Sequence, residues 1–419
     1  MTGTERRKQK RYYRRKSKRE AKKKAQYGQY DDFLSLISYR ALFKANHKSK
    51  SGVTWKTSVQ RYQLNLLKNI EKTRKDLLRG KDISKGFVEF DTMERGKLRH
   101  IKSVHYSERV VQRSLCDNAL VPMLSRGLIY DNGACLPGKG IDQSLDRLET
   151  HLHRFYRANH FSNEGWAVLF DFSSFFDNIL HNRCFAEYRK HFRDKRIMWL
   201  LSCFVVPFGY SNVGRRNNAH LRKKNPLTDY TGKSLGLGSQ VSQITAVAYP
   251  NALDHYIKER LRVRFYGRYM DDGYMLFRTK ESARKAIAAL NRLCPVLGIV
   301  LNPKKTRIVK LKYGIKFLKV KMTLTASGKV KRRMTRKSIV RQRRKLKKFA
   351  TFVRNGEMSI EEVVNSHASW KGHAIRRDGL KAAEKLDELL QSLFGVNAPK
   401  CQLKKRRKIK WRTKKRNRV

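Results

Sequence analysis

The stretch "RYMDDGYML", residues 268–276, decides how this chain is read. Two adjacent acids, Asp271 and Asp272, stand among apolar residues in a chain of net charge +63. The longer run "RVRFYGRYMDDGYMLFR", 262–278, alternates on both sides of Asp-Gly, which predicts a β-hairpin with both acids at its tip. Such a turn alone is most often only a turn. A second acidic strand end changes the weighing. In "WAVLFDFSSFFDN", 166–178, a short apolar run suits a buried strand, and Asp171 closes it. If the two strands are neighbours, Asp171 and Asp271 converge at one sheet edge. Their repulsion there calls for a cation. Mg²⁺ is the hard, oxygen-seeking ion that suits carboxylates. Two such ions clamp the attacking and leaving oxygens of a phosphoryl transfer.

The rest of the composition points the same way. Lys and Arg number 97 against 34 Asp and Glu in 419 residues, and 40% of the chain is hydrophobic. That is enough for a sizeable core in two or three subdomains. So one-sided a charge predicts a polyanionic partner, nucleic acid before an anionic membrane surface, because each neutralised phosphate releases a counterion. The six cysteines form no C-x-x-C pair, so neither a zinc site nor a disulfide framework is expected, and a cytoplasmic protein with reduced thiols is. No stretch reaches the length of a membrane span, and the basic N-terminus lacks the apolar segment of a secretory signal.

Charge runs flank a globular middle. Residues 5–24, "ERRKQKRYYRRKSKREAKKK", and 404–419, "KKRRKIKWRTKKRNRV", read either as solvated, disordered arms or as RNA-contacting arms with Tyr12, Tyr13 and Trp411 available to stack on bases. Helices are expected over 55–75, 105–125, 141–157, 242–261 and 281–294. In the third, Ile141, Leu145, Leu148 and Leu152 share a face. Residues 205–235 read as a long basic loop, and "GIKFLKVKMTL", 314–324, as a strand pair. From about 335 the pattern is helical, with Ile339, Leu346, Phe349 and Val353 on one face and Leu386, Leu389, Leu390 and Leu393 in the last helix. Strands and helices mix without strict alternation, which gives an α+β class.

Further stretches suit phosphoryl transfer without requiring it. "LGLGSQVSQ", 235–243, is a Gly-rich turn running into a helix, where the backbone can approach a nucleotide closely. "LNPKKT", 301–306, offers Lys305 as proton donor or phosphate ligand. Residues 97–115 offer Lys97, Arg99, Lys102 and Arg109 for a triphosphate. Each is also compatible with an ordinary turn or basic surface.

Taken in order, these stretches resemble the reverse transcriptase family. "FDFSSFFDN" resembles its motif A, "LGLGSQVSQ" motif B, "YMDD" the Y-x-D-D motif C, "LNPKKT" motif D and "GIKFLKVKMTL" the primer grip. "RHIKSVHYSERVVQ" and "YDNGACLPGKGIDQSL" resemble fingers motifs of bacterial and phage enzymes. The resemblance implies a right-hand polymerase fold: a basic arm (1–26), fingers (27–165), palm (166–330), helical thumb (331–397) and basic tail (398–419). It implies two Mg²⁺ ions held by Asp171, Asp271, Asp272 and the Phe172 carbonyl. Phe176 matches the steric gate against a 2′-hydroxyl. Lys97 and Arg99 match the triphosphate grip, and Gly238, Ser242 and Gln243 the motif B turn and helix start. Lys305 matches the lysine that protonates leaving pyrophosphate, and Tyr269, Met270, Phe317 and Leu318 match template and primer contacts. Leu237 departs from the glutamine that many members carry before the motif B glycine. The Ser-Gln ending resembles diversity-generating retroelement and phage-defence enzymes, which work with a dedicated structured RNA. The expected partners are therefore an RNA template, dNTPs and a DNA product, with no membrane. Two other readings stay open: template-independent or protein-primed synthesis, and an RNA-binding scaffold on a polymerase fold.

Overall fold

The computed structural model describes residues 3–94, 96–210 and 230–399. The C-terminal charge run with Trp411, and the middle of the 205–235 loop, lie outside the described residues. The chain divides into two compact units, Met1–Lys310 and Leu311–Val419.

The first unit opens with a helix at Gly3–Tyr30. The N-terminal charge run is thus helical and not a disordered arm. Lys, Arg, Gln and Glu are good helix formers, and they carry the run without an interior proline. The described side chains of residues 3–29 are exposed. The expected 55–75 helix is two, Thr57–Leu64 and Leu66–Leu78. Next comes an antiparallel hairpin not anticipated from the sequence, β1 (Phe87–Glu94) and β2 (Lys97–Val104). The 105–125 segment folds as Tyr106–Leu115, a π-helical turn at Cys116–Leu120 and a short helix at Val121–Leu124. In the Ile141–Ala158 helix, Leu145, Leu148, His151, Leu152 and Phe155 are buried. Ile141 is exposed, because it is the first helical residue and lies ahead of that face.

The palm sheet consists of β3 (Trp166–Phe170), β4 (Tyr266–Tyr269), β5 (Asp272–Phe277) and β6 (Arg307–Lys310) in the order β4-β5-β3-β6, every pair antiparallel. The two acidic strands are indeed neighbours: β3 pairs with β5 along its whole length. The hairpin turn differs from expectation. Tyr269 pairs with Asp272, so Met270 and Asp271 form the turn, and Gly273 lies inside β5. Gly273 serves packing instead: a Cβ there would stand 2.2 Å from the ring of Phe170. The helix expected over 242–261 starts at Gln240, stops at Ala248 ahead of Pro250, and resumes as Asn251–His255 and a π turn. The Lys280–Val296 helix packs on β3 and β5. One contiguous apolar core runs from Phe33 to Ile299.

The second unit pairs β7 (Ile315–Phe317), β8 (Val320–Leu324) and β9 (Val330–Met334) in sequence order. The strand β9 was not anticipated, since its Lys-Arg-Arg run hides the alternation. Leu318 and Lys319 join β7 to β8 with both residues at positive φ, the backbone of the tight hairpin turn. Three helices follow: Arg336–Arg354, Ile360–Ile375 and Leu380–Phe394. Leu346, Val363, Leu386 and Leu390 form their core, with Ile339, Phe349, Val353 and Leu389 against it, while Leu393 is exposed. No described helix is long and apolar enough to cross a membrane.

Candidate active site

Strand pairing explains how the acids meet. Phe170, the last residue of β3, pairs with Gly273 of β5. The next residue outward on each strand is an acid, Asp171 and Asp272. The Phe172 amide donates to the Asp271 carbonyl at 3.2 Å and locks the two chain segments together. Asp171 is buried, at 4% exposure, and Asp271 and Asp272 are half-buried. Phe172 is itself buried in the core, against Phe170 and Phe175.

The loop before β6 supplies two polar partners to the Asp171 side chain. Asn302 Nδ2 donates to Oδ1 at 3.3 Å and Lys305 Nζ to Oδ2 at 2.7 Å. The Asn302 amide also donates to the Asp171 carbonyl at 2.8 Å. One ammonium does not balance three acids. Burial and the Asp171 charge raise the Asp271 pKa above the ordinary carboxylate range. Burial, with Asp271 and Asp171 beside it, pushes Asp272 up to about 7. Lys305 is held above its usual value: burial works against its charge, but the hydrogen bond to Asp171 outweighs it.

Three oxygen-donor side chains that repel one another suit a hard divalent cation. Among the described residues, however, no three His, Cys, Asp or Glu side chains stand as a ready-made cage. Lys305 already occupies one Asp171 oxygen.

The reverse transcriptase (RNA-dependent DNA polymerase) family matches residues 94–322, more than half of the chain. The chain belongs to this family. Its right-hand polymerase fold agrees with the α+β architecture and with the pairing of the two acid-bearing strands of the palm. No curated protein matches. Among solved structures, the chain is similar to apo telomerase from Candida tropicalis truncated from its C-terminal domain. That match has 13% identity and a TM-score of 0.43, and covers 59% of this chain and 55% of that one. It is also similar to telomerase from Candida albicans in complex with a TWJ fragment of telomeric RNA. Here identity is 11%, the TM-score 0.45, and coverage 73% of this chain and 61% of that one. The chain spans less than two thirds of the length of either structure.

The remaining reverse transcriptase motif residues fall into place unevenly. Arg99 of β2 is close enough to the acids for its charge to act on Asp271. Lys97 lies on the same strand, but its side chain is outside the described residues. Lys102 faces Glu89 at 3.9 Å, and Arg109 donates to Ser103 Oγ at 2.6 Å, so both have structural partners. Gly238 has φ +107 and lies beside Ile101 and the Lys102 carbonyl, bringing the motif B turn against β2. Ser242 is fully buried one turn into the helix, and its amide donates to the capping Ser239 Oγ at 3.3 Å. Gln243 is exposed. Phe176 is half-buried against the core, its carbonyl accepting from the Leu235 amide at 2.8 Å. Tyr269 ends β4 and Met270 sits in the turn at φ 55, a backbone that a side chain rarely adopts. Phe317 is buried in the second unit, next to Leu318 at its hairpin turn.

Two buried side chains that support this arrangement were missed from sequence. Arg268 is fully buried and pairs with Asp254, Nη2 to Oδ2 at 2.6 Å and Nε to Oδ1 at 2.8 Å. Its remaining N–H groups donate to the Met270 carbonyl at 2.8 Å and the Val247 carbonyl at 2.9 Å. One guanidinium thus fastens the acid-bearing turn to the motif B helix. Gln112, also buried, accepts from Ser239 Oγ at 3.0 Å and the Gln240 amide at 3.3 Å, holding the start of that helix to the fingers. The available signal was a charged or amide residue inside an otherwise apolar run.

Proposed function

We propose that the chain is an RNA-directed DNA polymerase that copies a structured RNA into cDNA by nucleotidyl transfer. The observation that carries this reading is the meeting of Asp171, Asp271 and Asp272 at one sheet edge, where Lys305 and the more distant Arg99 offset them only in part, in a chain otherwise dominated by bases. Two Mg²⁺ ions held by these carboxylates and the Phe172 carbonyl would neutralise the charge that develops on the transferred phosphoryl group. Arg99 reaches the same region from β2 and grips the triphosphate; Lys97 is assigned beside it. Lys305 is tethered at its tip but 59% exposed along its side chain, so it can swing from Asp171 to the leaving pyrophosphate and deliver a proton. Phe176 closes the sugar pocket against a 2′-hydroxyl. Gly238 keeps the motif B turn open for the incoming nucleotide, and Ser242 and Gln243 stand in the first turn of the helix behind it. Tyr269 and Met270 are assigned template and primer contacts in the first unit, and Phe317 and Leu318 in the second.

The +63 charge supports an RNA partner of appreciable size, bound in part by the basic N-terminal helix. A dedicated noncoding RNA, in a diversity-generating retroelement or a phage-defence system of the cytoplasm, fits the Ser-Gln ending of motif B. The deciding experiment is Mg²⁺-dependent dNTP incorporation on an RNA template, with the product sequenced. A product that copies the template supports the proposal. RNA binding without incorporation means a scaffold, and product unrelated to the template means untemplated addition.

A further inference from the structure

At the other end of the palm sheet from the acids, a groove of about 510 Å³ opens between β5 and the helices Ile141–Ala158 and Lys280–Val296. Asp272 begins β5 and Phe277 ends it. Five strand steps separate them by roughly 17 Å. This groove therefore belongs to a different site.

Its floor is aromatic and its rim is basic. The half-buried Phe277 and the buried Phe155 and Phe265 line the groove with the exposed Arg262, Arg264 and Arg278, the last of which donates to the Ala158 carbonyl. No acid is among the described lining residues. Of its lining cations, Lys285 pairs with Glu281 at 2.7 Å. Arg262 and Arg264 are exposed, and the Arg264 guanidinium lies 5.5 Å from the Phe265 ring. Arg262 has φ 52, a backbone a side chain rarely holds unless its surroundings fix it. The strip continues across the sheet. Phe277 pairs with Trp166, whose ring carries Lys280 and Lys310, each at 5.3 Å. Exposed Phe161 lies just before this strand.

Exposed arginines beside the accessible rings of Phe277, Trp166 and Phe161 match single-stranded nucleic acid: cations take the phosphates, and these rings take bases whatever their sequence. A volume of this size admits a nucleotide or two. An acidic protein surface would use the rim but not an aromatic floor. We propose that this groove binds a single-stranded segment of the RNA partner, away from the strand being copied. The proposal rests on the reading that RNA is the chain's polyanion, and not on polymerisation itself.

The test measures full-length protein binding an unstructured 20-nucleotide RNA containing 4-thiouridine over a series of salt concentrations. The variants are Arg262→Glu/Arg264→Glu, the charge-matched control Lys68→Glu/Lys72→Glu on the exposed side of the Leu66–Leu78 helix, and Arg264→Lys. Two lost phosphate contacts should lower the slope of log affinity against log salt by about 1.4, at 0.7 per contact. The control should lose less than half of that, Arg264→Lys should keep the wild-type slope, and crosslinks should fall on peptides holding Phe265 or Phe277. An unchanged slope in the groove variant, an equal loss in the control, or crosslinks confined to other peptides would overturn the proposal. Groove-dependent binding by a protein that incorporates no dNTP would overturn the polymerase reading alone and support the groove.

Discussion

Two charge groups share one hairpin, through Arg268 in one and, three residues on, Asp271 in the other, and they are built on opposite principles. Arg268 and Asp254 form a closed pair: each donor of the guanidinium that points inward finds an oxygen, and Tyr266 donates its hydroxyl to the same carboxylate. Burial works against the Arg268 charge, but the Asp254 partner more than offsets it and the pKa ends above normal. Asp171, Asp271 and Asp272 form an open cluster, with acids outnumbering the one ammonium. There the same burial raises the pKa values of Asp271 and Asp272 because nothing compensates them fully. A matched pair holds structure. A mismatched cluster stores affinity for something that brings positive charge.

The sharpest break of this comparison is activity against stability. Asp271→Asn and Asp272→Asn should each lower dNTP incorporation by about 10³-fold or more, since they remove charge where the transition state needs it. RNA affinity should stay near wild type, and in EDTA neither protein should melt earlier, because each substitution relieves repulsion. Incorporation at the wild-type rate by either variant means the acids do not carry the chemistry.

Arg268→Met should do the reverse. Removing one partner leaves Asp254 charged and buried, at a loss of about 3–5 kcal/mol. Thermal or urea unfolding reads this directly. Pairing Arg268→Met with Asp254→Leu should restore a large part of the stability, and no recovery in the double variant would mean that the ties to Met270 and Val247 matter more than the ion pair.

Phe176 borders the open cluster in sequence, so its truncation should change selectivity before stability. Phe176→Ala should admit ribonucleotides, raising rNTP use relative to dNTP by about 10- to 100-fold. The ring is only half-buried, so the melting temperature should fall little. A folded variant that still rejects rNTP rules out the gate; early melting with loss of both nucleotide types makes Phe176 a core residue.

The smallest effect is a pH dependence confined to the open cluster. Asp272 keeps its proton in the fold up to about pH 7, whereas in the unfolded chain it releases it near pH 4. Between those values the native state binds more protons, so stability falls as pH rises through that window. In EDTA, wild-type melting temperature should therefore drop between pH 5 and pH 8, and Asp272→Asn should flatten the drop. Equal slopes in the two proteins would assign the pH dependence to other groups.

Local signals in the chain already carried the polymerase reading. Apolar runs ending in acid at Asp171 and at Asp271–Asp272, the Gly-rich turn before Gln240, and Lys305 after a strand-length gap are legible because strand alternation and turn chemistry act over a few residues. The amphipathic helices Ile141–Ala158 and Arg336–Arg354 are legible for the same reason. What the sequence could not settle depends on partners far along the chain. Asp-Gly looks like a turn until Phe170, about a hundred residues away, takes the space a Cβ on Gly273 would need and moves the turn to Met270–Asp271. Register is decided by strand pairing, and a shift of one residue would reverse the face of every side chain. Arg268 reads as one more base until folding buries it on Asp254, and β1 and β2 read as basic surface until they pair with each other. In each case the residue types were visible early, but their roles depended on which distant backbone came to lie beside them.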